Sequence, residues 1–337
     1  MSVRIGISGF GRIAGTCVRI AQDMPDVEIA AINKRNANLD YMAYMLRYDS
    51  VFGRFPGSVE TYDQGLIING KKVQVFGAND LKDIPWGDAG VDYVIEATGA
   101  FTTAEKCQPH LDAGAKKVII SAPAKDDTPT FVYKVNSDNY TSDMKIVSNA
   151  SCTTNCLAPL CKVVYDNFGI ETAQMATIHA STGKQSVVDS RSDKDWRRGR
   201  SVYGNIVPTS TGASKAVGKI IPELQGRMTG ISYRIPAADG SLIDVAITTT
   251  KATSYDEICA AVKEASETTM KGVLEYVDDE VTSIDFIGDA HTSIFDKRMG
   301  IQLDDHNFKL VAYYDNEYGY SAKTLELARH MYEVDNR

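Results

Sequence analysis

Val3-Arg4-Ile5-Gly6-Ile7-Ser8-Gly9-Phe10-Gly11-Arg12-Ile13-Ala14 opens the chain, and its reading decides the fold of the first half. Val3 to Ser8 is a short apolar run that predicts a strand, and the residues from Arg12 to about Met24 have helical spacing. The turn between them is Gly9-x-Gly11-x-x-Ala14. In such a turn the first glycine makes the tight reversal, the second lets a pyrophosphate approach the backbone, and a small third residue lets helix and strand pack closely. Amides at the helix start, such as those of Arg12 and Ile13, can then bind phosphate. The plainer alternative is a glycine-rich turn without a ligand. Val27 to Ile32 supplies a second strand and completes a β-α-β beginning.

Outward from there, Leu66 to Phe76 reads as a hairpin turned at Asn69-Gly70. Val91 to Ala97 and Lys117 to Ser121 are further buried strands, separated by a helical segment from Thr103 to Ala113 that ends at Gly114. Lys145 to Ser148 is a strand that feeds the next helix. The pattern then changes. Gln174 to His179, Gly230 to Pro236, Ser241 to Thr250, Asp304 to Asp305 and Phe308 to Tyr314 suggest a largely antiparallel sheet, with helices at Thr211–Ile220, Tyr255–Ser266 and Tyr320–Glu333. A long polar stretch without clear periodicity lies between His179 and Ile206; loops of that length are usually functional or disordered. The expected architecture is therefore α/β and α+β: a dinucleotide-binding domain over 1–150 and a second domain with a mixed, mainly antiparallel sheet over 151–319. The last helix, 320–334, is amphipathic and able to pack back on the first domain.

The chain has 337 residues, 43% apolar and 24% charged, with a net charge of −8. That is ordinary for a globular protein with two domains and a sizeable core. The negative charge disfavours nucleic acid or an anionic membrane as main partner. No apolar run approaches the length of a membrane span, and the start reads as a strand, not a signal peptide. Six cysteines, at 17, 107, 152, 156, 161 and 259, show neither disulfide-scaffold nor metal-ligand spacing, so no metal is expected and reduced thiols in a cytoplasm are. Arg191, Lys194, Arg197, Arg198 and Arg200 form a basic cluster, but Asp189, Asp193 and Asp195 interleave with it. A solvated loop or subunit contact explains that pattern better than nucleic-acid binding does.

Ser151-Cys152-Thr153-Thr154-Asn155-Cys156 carries the chemistry. A thiol flanked by hydroxyls stands at the start of an apolar helical run, with Ser151 suited to the N-cap. Unpaired amides and the positive end of the helix dipole favour a thiolate at Cys152, and a thiolate is a nucleophile at neutral pH. The alternative is a small buried cysteine that merely packs. At the end of the second strand, Ala31-Ile32-Asn33-Lys34-Arg35 lacks the acidic residue that NAD-linked sites use on the ribose. Lys34 and Arg35 could pair with a 2′-phosphate instead, or be a solvated strand end.

Four stretches, Gly9 to Ile13, Lys145 to Pro159, Ser210 to Ala213 and Tyr314-Asp315-Asn316-Glu317-Tyr318-Gly319-Tyr320, resemble those of phosphorylating glyceraldehyde-3-phosphate dehydrogenases, and the similarity extends over essentially the whole chain. The resemblance implies a Rossmann domain, a catalytic and oligomerisation domain, and a homotetramer. It implies oxidation of glyceraldehyde 3-phosphate to 1,3-bisphosphoglycerate with inorganic phosphate and NAD(P), in glycolysis or gluconeogenesis, through a Cys152 hemithioacetal and thioester. His179 matches the family's base and, as imidazolium, would stabilise the thiolate. Thr182 and Arg234 match the site for the substrate's phosphate; Ser151, Thr153, Thr211 and Gly212 match that for the attacking phosphate. On the cofactor side the matching positions are Gly9, Gly11, Arg12, Ile13, Asn33, Lys34, Arg35, Ser121, Ser192, Asn316 and Tyr320. Asn316 corresponds to the residue that orients the nicotinamide carboxamide.

Departures from the family pattern carry information. Lys34 replaces the ribose-binding Asp, Ala14 the third Gly, and Arg191-Ser192 the Leu-Pro or Gly-Pro of NAD-linked members. Together they favour NADP over NAD. Ala78-Asn79 stands in place of Glu-Arg near the adenine. Gly183-Lys184-Gln185-Ser186 and Ala237-Ala238-Asp239-Gly240 depart near the substrate end. The alternatives are an erythrose-4-phosphate dehydrogenase, in which water resolves the thioester, and a nucleotide-binding interaction protein that has lost catalysis.

Overall fold

The computed structural model describes residues 2–183, 185–193 and 195–337; Lys184, in the departure after Thr182, and Lys194, in the basic cluster, lie outside the described residues. The chain divides into two compact units, Met1–Ser151 with Ser321–Arg337, and Cys152–Tyr320.

The first unit is built on an eight-stranded sheet whose strands lie in the order Ile146–Ser148, Lys117–Ile120, Tyr93–Glu96, Val3–Ser8, Val27–Asn33, Lys71–Phe76, Gly65–Ile68, Val59–Tyr62. The first six are parallel and the last two pair antiparallel. In chain order the parallel strands run 3-2-1-4-5-6, the doubly wound Rossmann arrangement, with its switch point beside Val3–Ser8. Val3, Ile5, Ile7 and Ser8 are all buried, as expected of a central parallel strand covered on both faces. Helix Arg12–Ile20 buries Ala14, Cys17, Val18 and Ile20. The hairpin turns at Asn69 and Gly70, with φ of 49° and 78°, the paired left-handed residues of a twist-compatible two-residue loop.

Helix Leu39–Arg47, capped by Asn38 accepting from the Tyr41 amide, was not expected from sequence. It buries Met42, Ala43 and Leu46 but exposes Tyr41, Tyr44 and Met45, so apolar residues surround it and blur the helical period. The C-terminal helix Tyr318–Asp335 joins this unit through specific polar contacts. Thr324 Oγ1 accepts from Asn149 Nδ2 at 2.9 Å, and Asp335 accepts from Tyr140 at 2.9 Å and from Tyr93.

The second unit holds another eight-stranded sheet, along Val207–Ser210, Met228–Arg234, Thr172–His179, Ser241–Thr248, Asn307–Tyr314, Ser293–Asp296 and Leu274–Val277, with Ile301–Gln302 added to Asn307–Tyr314. Two pairings are parallel and the rest antiparallel. Thr172–His179 and Met228–Arg234 run parallel in register, so that His179 pairs with Arg234 at their ends. One expected strand is corrected: Asp304–Asp305 is a bend. Asp304 Oδ1 accepts from the His306 and Asn307 amides at 2.8 Å each, and this side-chain turn replaces the ladder. Among the described residues, the polar stretch after His179 contains one short 3-10 turn, Trp196–Gly199. Arg191 pairs with Asp193, Arg198 with Asp195 and Arg200 with Asp189, which fits a solvated loop. No described helix is long and apolar enough to cross a membrane.

Candidate functional site

In the first unit, a cavity of about 380 Å³ opens over the ends of the parallel strands, lined by Gly9, Gly11, Asn33, Lys34, Arg35, Ala78 and Thr98 among others. Gly9 has φ of 102°, and a Cβ there would lie 3.1 Å from the Ala97 and Thr98 backbone. Gly11 is different: a Cβ would meet no protein atom within 4 Å. Its bareness serves the cavity, not the packing, as expected where a pyrophosphate approaches. Ile13 lies on the first turn of the helix, whose amides suit an anion. These residues fit a dinucleotide. Arg12 offers its backbone there; its side chain pairs with Asp49 and stacks on Phe52. Burial pushes the Asp49 carboxyl up, but Arg12 and the amides of Val51 and Phe52 hold it below the usual range. Asn33 acts through its side chain on a neighbouring backbone: Oδ1 accepts from the Ala78 amide at 3.0 Å and Nδ2 donates to the Ala78 carbonyl at 3.2 Å, fixing the cavity wall. Lys34 and Arg35 are exposed at the rim, and no carboxylate stands among the described residues lining the cavity. Ser121 donates to the Glu96 carbonyl at 2.9 Å.

In the second unit, helix Cys152–Phe168 begins at the thiol. The chain enters it through Ala150 at φ 54°, a left-handed conformation that costs a non-glycine residue about 1–2 kcal/mol. The Cys152 sulfur lies 3.4 Å from His179 Nε2. His179 is buried at the end of its strand, and its Nδ1 lies 2.8 Å from the Ala180 carbonyl and 2.6 Å from Arg234 Nη1. The parallel register of the two strands brings Arg234 to this point.

The electrostatics of the pair are set by burial. Burial pushes the Cys152 thiol up; Arg234 and the hydrogen bonds of Thr153 pull it down without reversing the direction. Burial and then Arg234 push His179 down to about 3, against the Ala180 carbonyl. Both shifts run toward the uncharged forms, away from a thiolate and an imidazolium. Helix amides are too weak to offset the desolvation of sulfur.

The remaining candidates divide. Thr182 is exposed, its amide donating to Gln185 Oε1 at 2.9 Å. Thr211 accepts from the Ala213 amide at 3.2 Å, and Gly212 is the N-cap of helix Ala213–Ile220; capping leaves the threonine proton to donate elsewhere. Ser151 directly precedes the Cys152 helix and Thr153 is buried in its first turn. Ser192 sits in the polar segment, packed by Gly199. Asn316 is buried and accepts from Ser241 Oγ at 2.6 Å. Tyr320 is buried in the first turn of its helix.

Two contributors were missed from sequence. Tyr314, given no role there, bridges Thr153 Oγ1 and Thr177 Oγ1 at 2.9 Å each and meets the His179 ring edge-to-face at 5.9 Å. Its place in the quoted Tyr314–Tyr320 block was the available signal. Ser241 ties Asn316 to the Ala180 amide, a link between separate strands that no local pattern reveals.

The chain matches the family model described as glyceraldehyde 3-phosphate dehydrogenase, NAD binding domain, over residues 3–104, and the corresponding C-terminal domain over residues 151–316. It is 54% identical to glyceraldehyde-3-phosphate dehydrogenase 1 of Mucor circinelloides f. lusitanicus, over 99% of each chain. It is 52% identical to glyceraldehyde-3-phosphate dehydrogenase 3 of Saccharomyces cerevisiae, over 98% of this chain and 99% of the relative. With the cytosolic enzyme of Gracilaria gracilis it shares 50% identity over 97% and 98%.

Proposed function

The chain belongs to the glyceraldehyde 3-phosphate dehydrogenase family, and on that premise we propose that it converts glyceraldehyde 3-phosphate and inorganic phosphate to 1,3-bisphosphoglycerate with reduction of a nicotinamide dinucleotide, a step of glycolysis or gluconeogenesis. The observation that carries the reading is the Cys152 sulfur 3.4 Å from His179 Nε2 at the start of a helix. The sulfur adds to the aldehyde carbon and gives a hemithioacetal. His179 takes the hydroxyl proton as that carbon is oxidised, leaving a thioester on Cys152. When bound, the dinucleotide accepts the hydride. A phosphate oxygen then attacks the acyl carbon, the carbon–sulfur bond breaks, and Cys152 is regenerated. Arg234 and Thr182 hold the substrate's own phosphate. Ser151, Thr153, Thr211 and Gly212 hold the attacking one. Asn316, braced by Ser241, orients the nicotinamide carboxamide beside Tyr320.

The same reading assigns 1–150 with helix 320–334 to the cofactor and 151–319 to catalysis and oligomerisation in a cytoplasmic homotetramer. Exposed apolar side chains along the polar segment, Val187, Val188, Trp196, Tyr203 and Ile206, support self-association. A preference for NADP follows from Lys34 and Arg35 at a cavity without a carboxylate, with Ser192 as a small hydroxyl partner; in such a site a 2′-phosphate meets cations and no like charge. Initial rates with NAD and NADP, each with and without phosphate, test the whole scheme. Product formation that does not need phosphate would favour the erythrose-4-phosphate dehydrogenase alternative. Cys152→Ser is expected to abolish turnover and keep cofactor binding; surviving turnover removes the covalent route.

A further inference from the structure

A buried polar chain in the first unit runs from Trp86 to the wall of the dinucleotide cavity. Trp86, His110 and Glu96 are each no more than 1% exposed. Trp86 Nε1 donates to His110 Nδ1 at 3.0 Å. An indole nitrogen only donates, so Nδ1 accepts and the imidazole carries its proton on Nε2. That proton faces Glu96 Oε2 at 3.1 Å. The other carboxylate oxygen, Oε1, accepts from the Thr98 amide at 2.8 Å and from the Thr98 hydroxyl. The same hydroxyl accepts from the Ala100 amide at 3.1 Å, and Gly99 between them has φ of 67°. The direction of donation is thus fixed from the indole outward to the turn that follows strand Tyr93–Glu96.

This turn is part of the cavity. Ala97, Thr98, Ala100 and Phe101 line it, and the Ala97–Thr98 backbone is the surface that a Cβ on Gly9 would meet. Helix Ala104–Asp112 grips both ends of the turn: His110 holds Glu96 before it, and Cys107 Sγ donates to the Phe101 carbonyl at 3.5 Å. Plain packing is cheaper to build from apolar residues than around a buried carboxylate, whereas a satisfied buried network imposes one geometry. We propose that His110 and Glu96 are positioning residues for the cofactor, which through Thr98 hold the 97–101 turn in the shape that receives the dinucleotide. The proposal rests on the dinucleotide reading of this cavity and extends it to two side chains that do not line the cavity.

The test is equilibrium binding of NADP and of NAD to the full-length protein by titration calorimetry, with Tm measured on the same samples. His110→Ala is expected to weaken binding about tenfold, or about 1.4 kcal/mol, near the lower end for one hydrogen bond to a charged group. In turnover, KM for the dinucleotide should rise by that factor, while kcat at saturation and KM for glyceraldehyde 3-phosphate hold. His110→Gln, whose amide accepts from Trp86 and donates to Glu96, should restore most of the lost affinity. Ile84→Ala, in the same apolar cluster as Trp86, should lower Tm and leave binding unchanged. Thr98 is exposed, so its variants keep the fold whatever becomes of His110→Ala; Thr98→Val should lose affinity and Thr98→Ser keep it. Because both act on one chain, the loss in the His110→Ala, Thr98→Val double variant should fall short of the product of the single losses. Binding that follows Tm across the set, a His110→Gln protein that regains Tm but not affinity, or losses that multiply fully overturns the proposal. Undiminished binding in both single variants does so too. A parent that binds neither dinucleotide removes the cavity reading itself, and the proposal with it.

Discussion

Replacing Tyr314 by Phe deletes one oxygen beneath the candidate nucleophile. That oxygen lies 2.9 Å from Thr153 Oγ1 and 2.9 Å from Thr177 Oγ1, and all three residues are buried. A phenol with one proton donates to one threonine and accepts from the other. Burial, with Cys152 nearby, holds the phenol well above its ordinary range, so the bridge stays neutral across the assay. Two neutral bonds at about 1 kcal/mol each amount to about 2 kcal/mol of stability; the ring remains, so little cavity is added. For a unit of this size 1 kcal/mol moves Tm by about 2–4 °C, and a fall of about 4–8 °C is expected. A second effect reaches the sulfur. Thr153 favours the Cys152 thiolate through its amide and its hydroxyl, and Tyr314 holds that hydroxyl in place. Losing the equivalent of one hydrogen bond, about 1 kcal/mol, raises the thiol pKa by about 0.7 and lowers the thiolate fraction about fivefold below it. Calorimetry and the pH profile of iodoacetamide alkylation, run in one buffer, read both effects. An unchanged Tm refutes the bridge. A lowered Tm with an unchanged profile refutes its link to the sulfur.

Lys34→Asp restores a carboxylate at the cavity rim and is expected to reverse the cofactor preference, raising KM for NADP at least about tenfold while leaving that for NAD unchanged or lower; near a surface, exchanging an attraction for a repulsion at one phosphate is worth about that much. Equal ratios of kcat/KM in parent and variant would remove Lys34 from the argument. His179, pushed from 6.5 down to about 3, binds its proton in the unfolded chain before the folded one, so its contribution is full above pH 6.5 and is lost as pH falls through that window. His179→Asn should flatten the acid loss of stability in urea titrations between about pH 7 and pH 5; parallel slopes refute it. Asp239 has the opposite sign. Burial, then Asp315 and Glu317, push it from 3.8 up to about 8, so the folded chain holds the extra proton and stability falls as pH rises through that range. Asp239→Asn is expected to raise Tm by an amount that grows up to about pH 8, and a constant offset would show that the carboxyl is not protonated in the fold.

Legibility followed the range of the forces. The strand-turn-helix at Val3–Ala14 and the Asn69-Gly70 turn are local, so composition and spacing sufficed. Helix Leu39–Arg47 failed the period because Tyr41, Tyr44 and Met45 are exposed apolar residues, a surface that the helix alone does not explain. Asp304–Asp305 failed because a side chain outcompeted the ladder for the amides of His306 and Asn307. At the site, resemblance singled out Cys152, His179 and Arg234. What no local pattern supplied were the shifts of Cys152 and His179, which depend on burial and on a 2.6 Å contact between residues 55 positions apart. The bracing of Asn316 by Ser241, across 75 positions, was hidden for the same reason.

Those shifts bear on how the thiol is activated. A helix N-terminus contributes up to about 2 kcal/mol to an anion, whereas removing a charge from water costs several. In this fold the balance at Cys152 remains upward despite Arg234 and Thr153, and burial and Arg234 push the neighbouring imidazole toward its neutral form. Arg234 acts with opposite sign on the two members of the pair: it favours the thiolate and disfavours the imidazolium. A phosphate that engages Arg234 weakens both effects, so the outcome depends on what replaces the guanidinium at the sulfur. An imidazolium at His179 stands 3.4 Å from Sγ, with the Ala180 carbonyl 2.8 Å from Nδ1 to accept its other proton. Activation should therefore be cooperative: thiolate and imidazolium appear together, and the alkylation profile has an acidic limb. If instead anion binding slows alkylation at every pH, the loss of Arg234 dominates and the thiol is activated by some group other than His179.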